Sequence, residues 1–224
     1  MVKLFHVAVL YKHHNNDIKP LKSASDLSSF GFFQRNSVNE FMNFTCKVLI
    51  ERSDVPSRVS VKEEGKEQEF DKFVLTCRFE DYLCHAYLRS DRLCAVLISD
   101  QEYPHRVAHT LITKILDEFA AAVPSSSWTT LNDNTHIVNY FSGAPFAGLD
   151  VYLAKYQNPK EADAITKLQT DLDETKIILH NTITALLQRG EKLDDLVAKS
   201  SDLSAQSKVF YKTARKTNQC CHLL

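Results

Sequence analysis

Residues 172–216 read LDETKIILHNTITALLQRGEKLDDLVAKSSDLSAQSKVFYKTARK, and this run decides how the rest of the chain is organised. Alternating steps of three and four, taken from Arg189 toward the N-terminus, reach Leu186, Thr182, Leu179, Thr175, Leu172, Leu168 and Ile165. Toward the C-terminus the same steps reach Leu193, Leu196, Ser200, Leu203, Ser207, Phe210 and Ala214. Apolar or small residues recurring about every 3.5 positions are the signature of one strand of a left-handed coiled coil. Between them lie mostly charged or polar residues, among them Asp173, Glu174, Lys176, Glu191, Lys192, Asp194 and Asp195, as a solvated outer face requires. A lone arginine in the middle of such a seam costs stability, yet it can fix register and partner choice. One helix cannot bury its stripe on itself, so the segment needs other helices.

This run resembles the R-SNARE motif, with Arg189 at the position of the family's central zero-layer arginine. With the closing residues Cys220, Cys221, His222, Leu223 and Leu224, the chain is most similar to the Ykt-type prenylated longin R-SNAREs, which are synaptobrevin-like. The resemblance implies that residues 163–219 zip with three Q-SNARE helices into a parallel four-helix bundle. Arg189 would there meet three glutamines, and the seam residues named above would form the other core layers. The implied activity is vesicle docking and membrane fusion in ER–Golgi and endosomal or vacuolar transport, on the cytosolic face of those membranes. In the free state the segment is expected to be disordered or docked on the chain's own N-terminal domain.

Length and composition bound the alternatives. At 224 residues there is room for one ordinary domain and an extension. A net charge of −1 provides no basic excess to displace phosphate counterions, so nucleic acid is not an expected partner. No run of 18 apolar residues and no secretory signal is found, and Cys46, Cys77, Cys84 and Cys94 are scattered without a CxxC spacing. Together these imply a cytosolic chain with reduced thiols and no transmembrane segment. No phosphate-binding, nucleophile-elbow or zinc-protease motif is present, so neither enzymatic activity nor a cofactor is expected. The adjacent pair His13 and His14 lacks companion ligands and reads as a solvated turn rather than a metal site. Cys84 and His85 are neighbours in an apparent strand and point to opposite faces, which rules out a Cys–His dyad.

Taken in order, residues 1–123 supply two strands, a helix, at least three further strands and a second helix. That order predicts an α+β domain with an antiparallel sheet and helices on its faces. The first helix, over residues 37–52, carries Phe41, Phe44, Val48 and Leu49 on one face, with Ser37 and Glu40 in capping-box spacing. Residues 82–89 and 92–100 form a tight hairpin, and Pro104 opens the second helix. The resemblance supplies the name: a profilin-like longin domain with a five-stranded antiparallel sheet between helices. It also places Phe41 and Phe44 in a groove that receives the protein's own SNARE motif and lipid. The expected division is residues 1–150 for the longin domain, with extra segments near 63–79 and 130–148. A linker over 151–162, the SNARE motif over 163–219 and a lipidation tail over 220–224 follow.

In the tail, Cys221 is the fourth residue from the C-terminus, a CaaX arrangement in which leucine at the end favours a geranylgeranyl group. Cys220 is the expected site of a palmitoyl or second prenyl group, because a single chain attaches only marginally. A regulatory longin adaptor that binds trafficking partners without entering a bundle is the alternative reading.

Overall fold

Leu4–Lys12 (β1) is buried along its whole length, and the domain is assembled around it. In the computed structural model residues 3–54, 56–62, 82–129, 148–159, 177–180, 182–188 and 190–219 are described; for 184 and 214–219 this covers the backbone alone. Ile18–Ser25 (β2) pairs antiparallel with β1 on one side, and Leu93–Asp100 (β5) on the other. Tyr82–Leu88 (β4) and Ser57–Lys62 (β3) continue the sheet outward, each antiparallel to its neighbour. These are the five antiparallel strands expected, and the α+β class is the observed one. A sixth strand, Ile177–His180 (β6), comes from the C-terminal segment and lies parallel to β3, giving the order β2-β1-β5-β4-β3-β6.

Both faces of the sheet are covered, which is why β1 and β5 read as apolar runs rather than as alternating strands. Arg35–Glu51 (α1) covers one face. Against it pack Ala8, Leu10, Val59, Val61, Ala86, Val96 and Ile98 from the sheet and Val38, Met42, Phe44 and Leu49 from the helix. His105–Ala122 (α2) covers the other with Leu111, Ile112, Ile115, Leu116 and Phe119, over Leu4, Val7, Val9 and Leu97. Pro104 precedes it as the N-cap residue, with helical geometry beginning at His105, one position later than expected. Ser125–Thr129 (α3) and Leu149–Lys155 (α4) complete that layer through Trp128, Leu149, Leu153 and Tyr156. The expected linker over 151–162 thus begins inside a packed helix. Gln157 clamps β1, its carbonyl oxygen accepting from the Leu4 N–H at 3.0 Å and its amide donating to the Leu4 carbonyl at 2.8 Å. The extra segments near 63–79 and 130–148 lie outside the described residues except for Gly148.

Two details fix α1. Its start differs from the expected capping box: helical geometry begins at Arg35 after Gln34, with no side-chain cap. The turn at Gly31, whose carbonyl accepts from both Gln34 and Arg35, already winds the chain, so Ser37 is interior to the helix and buried. At the other end the Lys12 ammonium donates to the carbonyls of Ile50, Glu51 and Ser53 at 3.1, 3.2 and 2.8 Å. A cation there satisfies orphan carbonyls and meets the negative end of the helix dipole. Burial lowers the Lys12 pKa from its ordinary value.

Burial favours the neutral forms of Cys46, Cys94, His6, His85 and His109 in the interior. Cys46, Cys84 and Cys94 are buried, and burial raises the pKa of Cys46 and Cys94. Cys84 and His85 do face opposite sides, Cys84 in the α1 layer and His85 in a polar cluster against α2. In that cluster the Ser60 hydroxyl sits 3.0 Å from His85 Nδ1 and 2.9 Å from His109 Nε2. Burial pushes His6 and His109 down to about 4. In the unfolded chain these imidazoles titrate near the ordinary value of about 6.5. Below that pH the unfolded state takes up protons that the fold excludes, so stability is full above it and is lost as pH falls toward 4. Each such histidine contributes about 3 kcal/mol over that window. Denaturant midpoints measured from pH 7.5 to 4.5 should therefore fall. His109→Phe should flatten the slope, and an unchanged slope would contradict a buried neutral imidazole at this position.

Candidate functional site: the groove over helix α1 and strand β3

The C-terminal segment is not one continuous helix here. β6 is followed by a 3-10 turn at Ile183–Leu186, then Leu193–Lys199 (α5) and Ala205–Gln219 (α6). Gly190 lies between the turn and α5 at φ 88°, a left-handed conformation that residues with a Cβ rarely adopt. Ser200 closes α5 with an extended ψ of 131°, and this breaks the seam a second time. With no partner helices present, the apolar stripe finds its burial on the chain's own domain.

The docked face has a definite composition. Ile183, Val197 and Leu203 are 4%, 1% and 4% exposed and belong to the same core cluster as Phe44, Met42 and Val61. Leu186, Leu187, Leu193, Leu196, Phe210 and Tyr211 are partly buried against that cluster. Four of these, Ile183, Leu187, Val197 and Tyr211, each follow a seam residue by one position. The docked face is therefore wider than the seam, as expected when a segment lies on a globular surface rather than in a coiled coil.

Polar contacts pin the edges. Arg52 Nη2 lies 2.5 Å from Glu191 Oε1 near the C-terminal end of α1. Lys47 Nζ lies 2.7 Å from Asp202 Oδ2. The Tyr211 hydroxyl donates to Asp194 at 2.9 Å, tying α6 to α5, and its ring stacks on Phe41 with centroids 5.3 Å apart and planes 18° from parallel. Glu40 Oε2 accepts from the Ser204 N–H at 2.9 Å and from the Ser207 hydroxyl at 2.7 Å. Burial alone would raise the Glu40 pKa; the hydrogen bonds from Ser204 and Ser207 outweigh it and hold the carboxyl below its ordinary range.

The expected site residues distribute as follows. Phe44 is buried and Phe41 half-buried, adjacent at 5.8 Å between ring centroids, both beneath or beside the docked segment. Among the seam residues, Leu203 and Ser207 are buried. Thr182, Leu186, Leu193, Leu196, Ser200 and Phe210 are partly buried, and Leu179 on β6 is 64% exposed. Ile165, Leu168, Leu172, Thr175, Arg189, Cys220 and Cys221 lie outside the described residues, and Ala214 is described by its backbone alone. Glu40 was read from sequence only as the capping-box partner of Ser37, and Ile183, Val197 and Tyr211 were not singled out. An apolar residue directly after a seam position was the available signal for the last three.

The comparisons with known proteins agree on both halves of the chain. Residues 164–222 match the synaptobrevin family model, and residues 27–142 match the longin model, described as a regulated-SNARE-like domain. The synaptobrevin homolog ykt6 of Schizosaccharomyces pombe is 46% identical over 223 residues, 98% of each chain. The synaptobrevin homologs YKT6 of Eremothecium gossypii and Saccharomyces cerevisiae are 44% and 42% identical, each over the full length of both chains. The chain therefore belongs to the synaptobrevin family of longin SNARE proteins, as an R-SNARE of the Ykt6 type acting in vesicle trafficking. This is a family of trafficking proteins, neither enzymatic nor dependent on a cofactor. Among the described residues no helix is long and apolar enough to cross a membrane.

The geometry ranks the docking contacts. Lys47 and Asp202 are about two-fifths exposed, and exposed ion pairs contribute about 0–1 kcal/mol. Leu203 is buried, and truncating a buried leucine costs about 2–5 kcal/mol. Leu203→Ala should therefore speed tryptic cleavage at Lys192, Lys199 and Lys208 far more than Asp202→Ala does. Equal sensitivity of the two variants would contradict an apolar docked face.

Proposed function

We propose that residues 163–219 zipper with three Q-SNARE helices into a parallel fusion bundle, and that the docked arrangement is the autoinhibited state of the same segment. The observation that carries this reading is shared use of side chains. Leu186, Leu193, Leu196, Leu203, Ser207 and Phe210 are seam positions, and the same residues are wholly or partly buried against the α1–β3 groove. One side chain cannot be in both places, so docking and zippering compete. Arg189 is the central layer residue in this proposal, with Ile165, Leu168, Leu172, Thr175, Leu179, Thr182, Ser200 and Ala214 in the other layers. Phe41 and Phe44 serve as the groove that holds the segment.

Zippering from Ile165 toward Ala214 draws the C-terminus to the opposing membrane. Burial of each large layer side chain supplies about 1.5–3 kcal/mol toward that work. Attachment is by lipid, with prenyl on Cys221 and palmitoyl or a second prenyl group on Cys220. One chain gives marginal, reversible binding and two give stable anchoring, so the cysteine pair acts as a switch between cytosol and the Golgi, ER or endosomal surface.

Val197 offers a test that separates docking from the bundle itself, because it is buried in the docked face yet lies one position off the seam. Val197→Asp should undock the segment and speed formation of an SDS-resistant complex with three Q-SNARE helices by roughly tenfold, the factor given by losing about 1.4 kcal/mol of docking. Phe44→Glu should act in the same direction from the groove side. Assembly rates unchanged in Val197→Asp would remove the autoinhibitory reading. Absence of any complex with Q-SNARE helices would leave the adaptor reading in its place.

A further inference from the structure

Helix α6 begins in an unusual way. Ser204 is its cap residue: the Ser204 carbonyl accepts from Lys208 at 3.0 Å, and the Ser204 hydroxyl accepts from the Ser207 N–H at 3.2 Å. In a capping box the cap residue's own N–H is satisfied by a glutamate or glutamine three residues on, at N3. Here N3 is Ser207, whose side chain is too short for that task. The carboxylate comes instead from α1: Glu40 Oε2 accepts from the Ser204 N–H and from the Ser207 hydroxyl. The Ser204 hydroxyl in turn donates to Ser207 Oγ at 3.0 Å, which closes the network. A negative charge beside the first turn of α6 also complements the positive end of its dipole.

We propose that Glu40 completes the capping box of α6 from the longin domain and is a positioning residue specific to the docked state. The inference rests on the docked reading above and extends it to a residue outside the SNARE motif. Its selectivity follows from the backbone. The cap exists because the chain is broken between α5 and α6, where Ser200 takes an extended ψ of 131°. In a continuous bundle helix the Ser204 N–H would bond to the carbonyl of Ser200, four residues back, and would need no cap. Glu40 therefore stabilises the docked conformation and contributes nothing to the zippered one. It sets where α6 starts and how the last layers are held over Phe41. The flanking contacts Lys47–Asp202 and Phe41–Tyr211 bring the Ser204 turn onto α1, and Glu40 fixes its register there.

The experiment is amide hydrogen exchange on the full chain, read at residues 204–208, with β1 and β5 as the internal standard for the fold. In Glu40→Ala exchange at 204–208 should rise about tenfold, as expected for loss of hydrogen bonds to a charged acceptor. In Glu40→Gln, which keeps one neutral acceptor, the rise should be smaller, and protection in β1 and β5 should not move. Ser207→Ala should raise exchange in the wild-type background and add nothing in Glu40→Ala. Unchanged exchange in Glu40→Ala, or a Ser207→Ala effect of equal size in both backgrounds, overturns the proposal. If residues 177–219 already exchange at unprotected rates in the wild type, the docked reading fails, and the Glu40 proposal falls with it.

Discussion

An apolar stripe on an isolated helix has nowhere to go, and the arrangement of residues 177–219 follows from that constraint. Water does not tolerate Ile183, Val197 and Leu203 together on an exposed face, so the segment is covered either by other helices or by α1 and β3. Burying a large apolar side chain contributes about 1.5–3 kcal/mol. Ordering the backbone costs about 1–2 kcal/mol per residue. Terms of such similar size make docking conditional, as the proposed exchange between groove and bundle requires.

Strand β6 gives the domain a second reason to hold the segment. Among the described strands β3 would otherwise end the sheet as an open edge, a ready template for unwanted pairing. Ile177–His180 closes that edge over Arg58–Val61. In the proposed bundle the same four residues are helical, so release means exchanging sheet hydrogen bonds for helical ones. Gly190 takes φ 88° in the docked turn, and its permissive backbone can also adopt the helical angles of the proposed bundle. Its cost of about 1 kcal/mol in a helix weakens the free segment as an autonomous helix. That leaves the groove or a partner to impose its structure.

Much of this was legible in the sequence because it is periodic or local. The hairpin between β4 and β5, the helix after Pro104 and the buried thiols all rest on spacing or on neighbouring residues. Glu40 shows where such reading stops. Its spacing from Ser37 suggested a local capping box, whereas the turn at Gly31 starts the helix earlier and frees Glu40 to serve a helix more than 160 residues away. The same limit hid β6. IleIleLeuHis fits the heptad pattern, and nothing within it announces that an open strand edge at β3 will capture it. The extra apolar residues at 183, 187, 197 and 211 were visible, but their meaning depends on a surface that only the folded domain supplies.

The central claim is that one set of side chains serves two mutually exclusive burials. The most direct measurement is the distance between spin labels on two exposed residues, Asn36 at the start of α1 and Ala198 on α5, in the free chain and after addition of three Q-SNARE helices. The account predicts a single narrow distribution in the free chain that disappears into longer separations as the bundle forms. A distribution already broad in the free chain, or one that survives assembly unchanged, would contradict it.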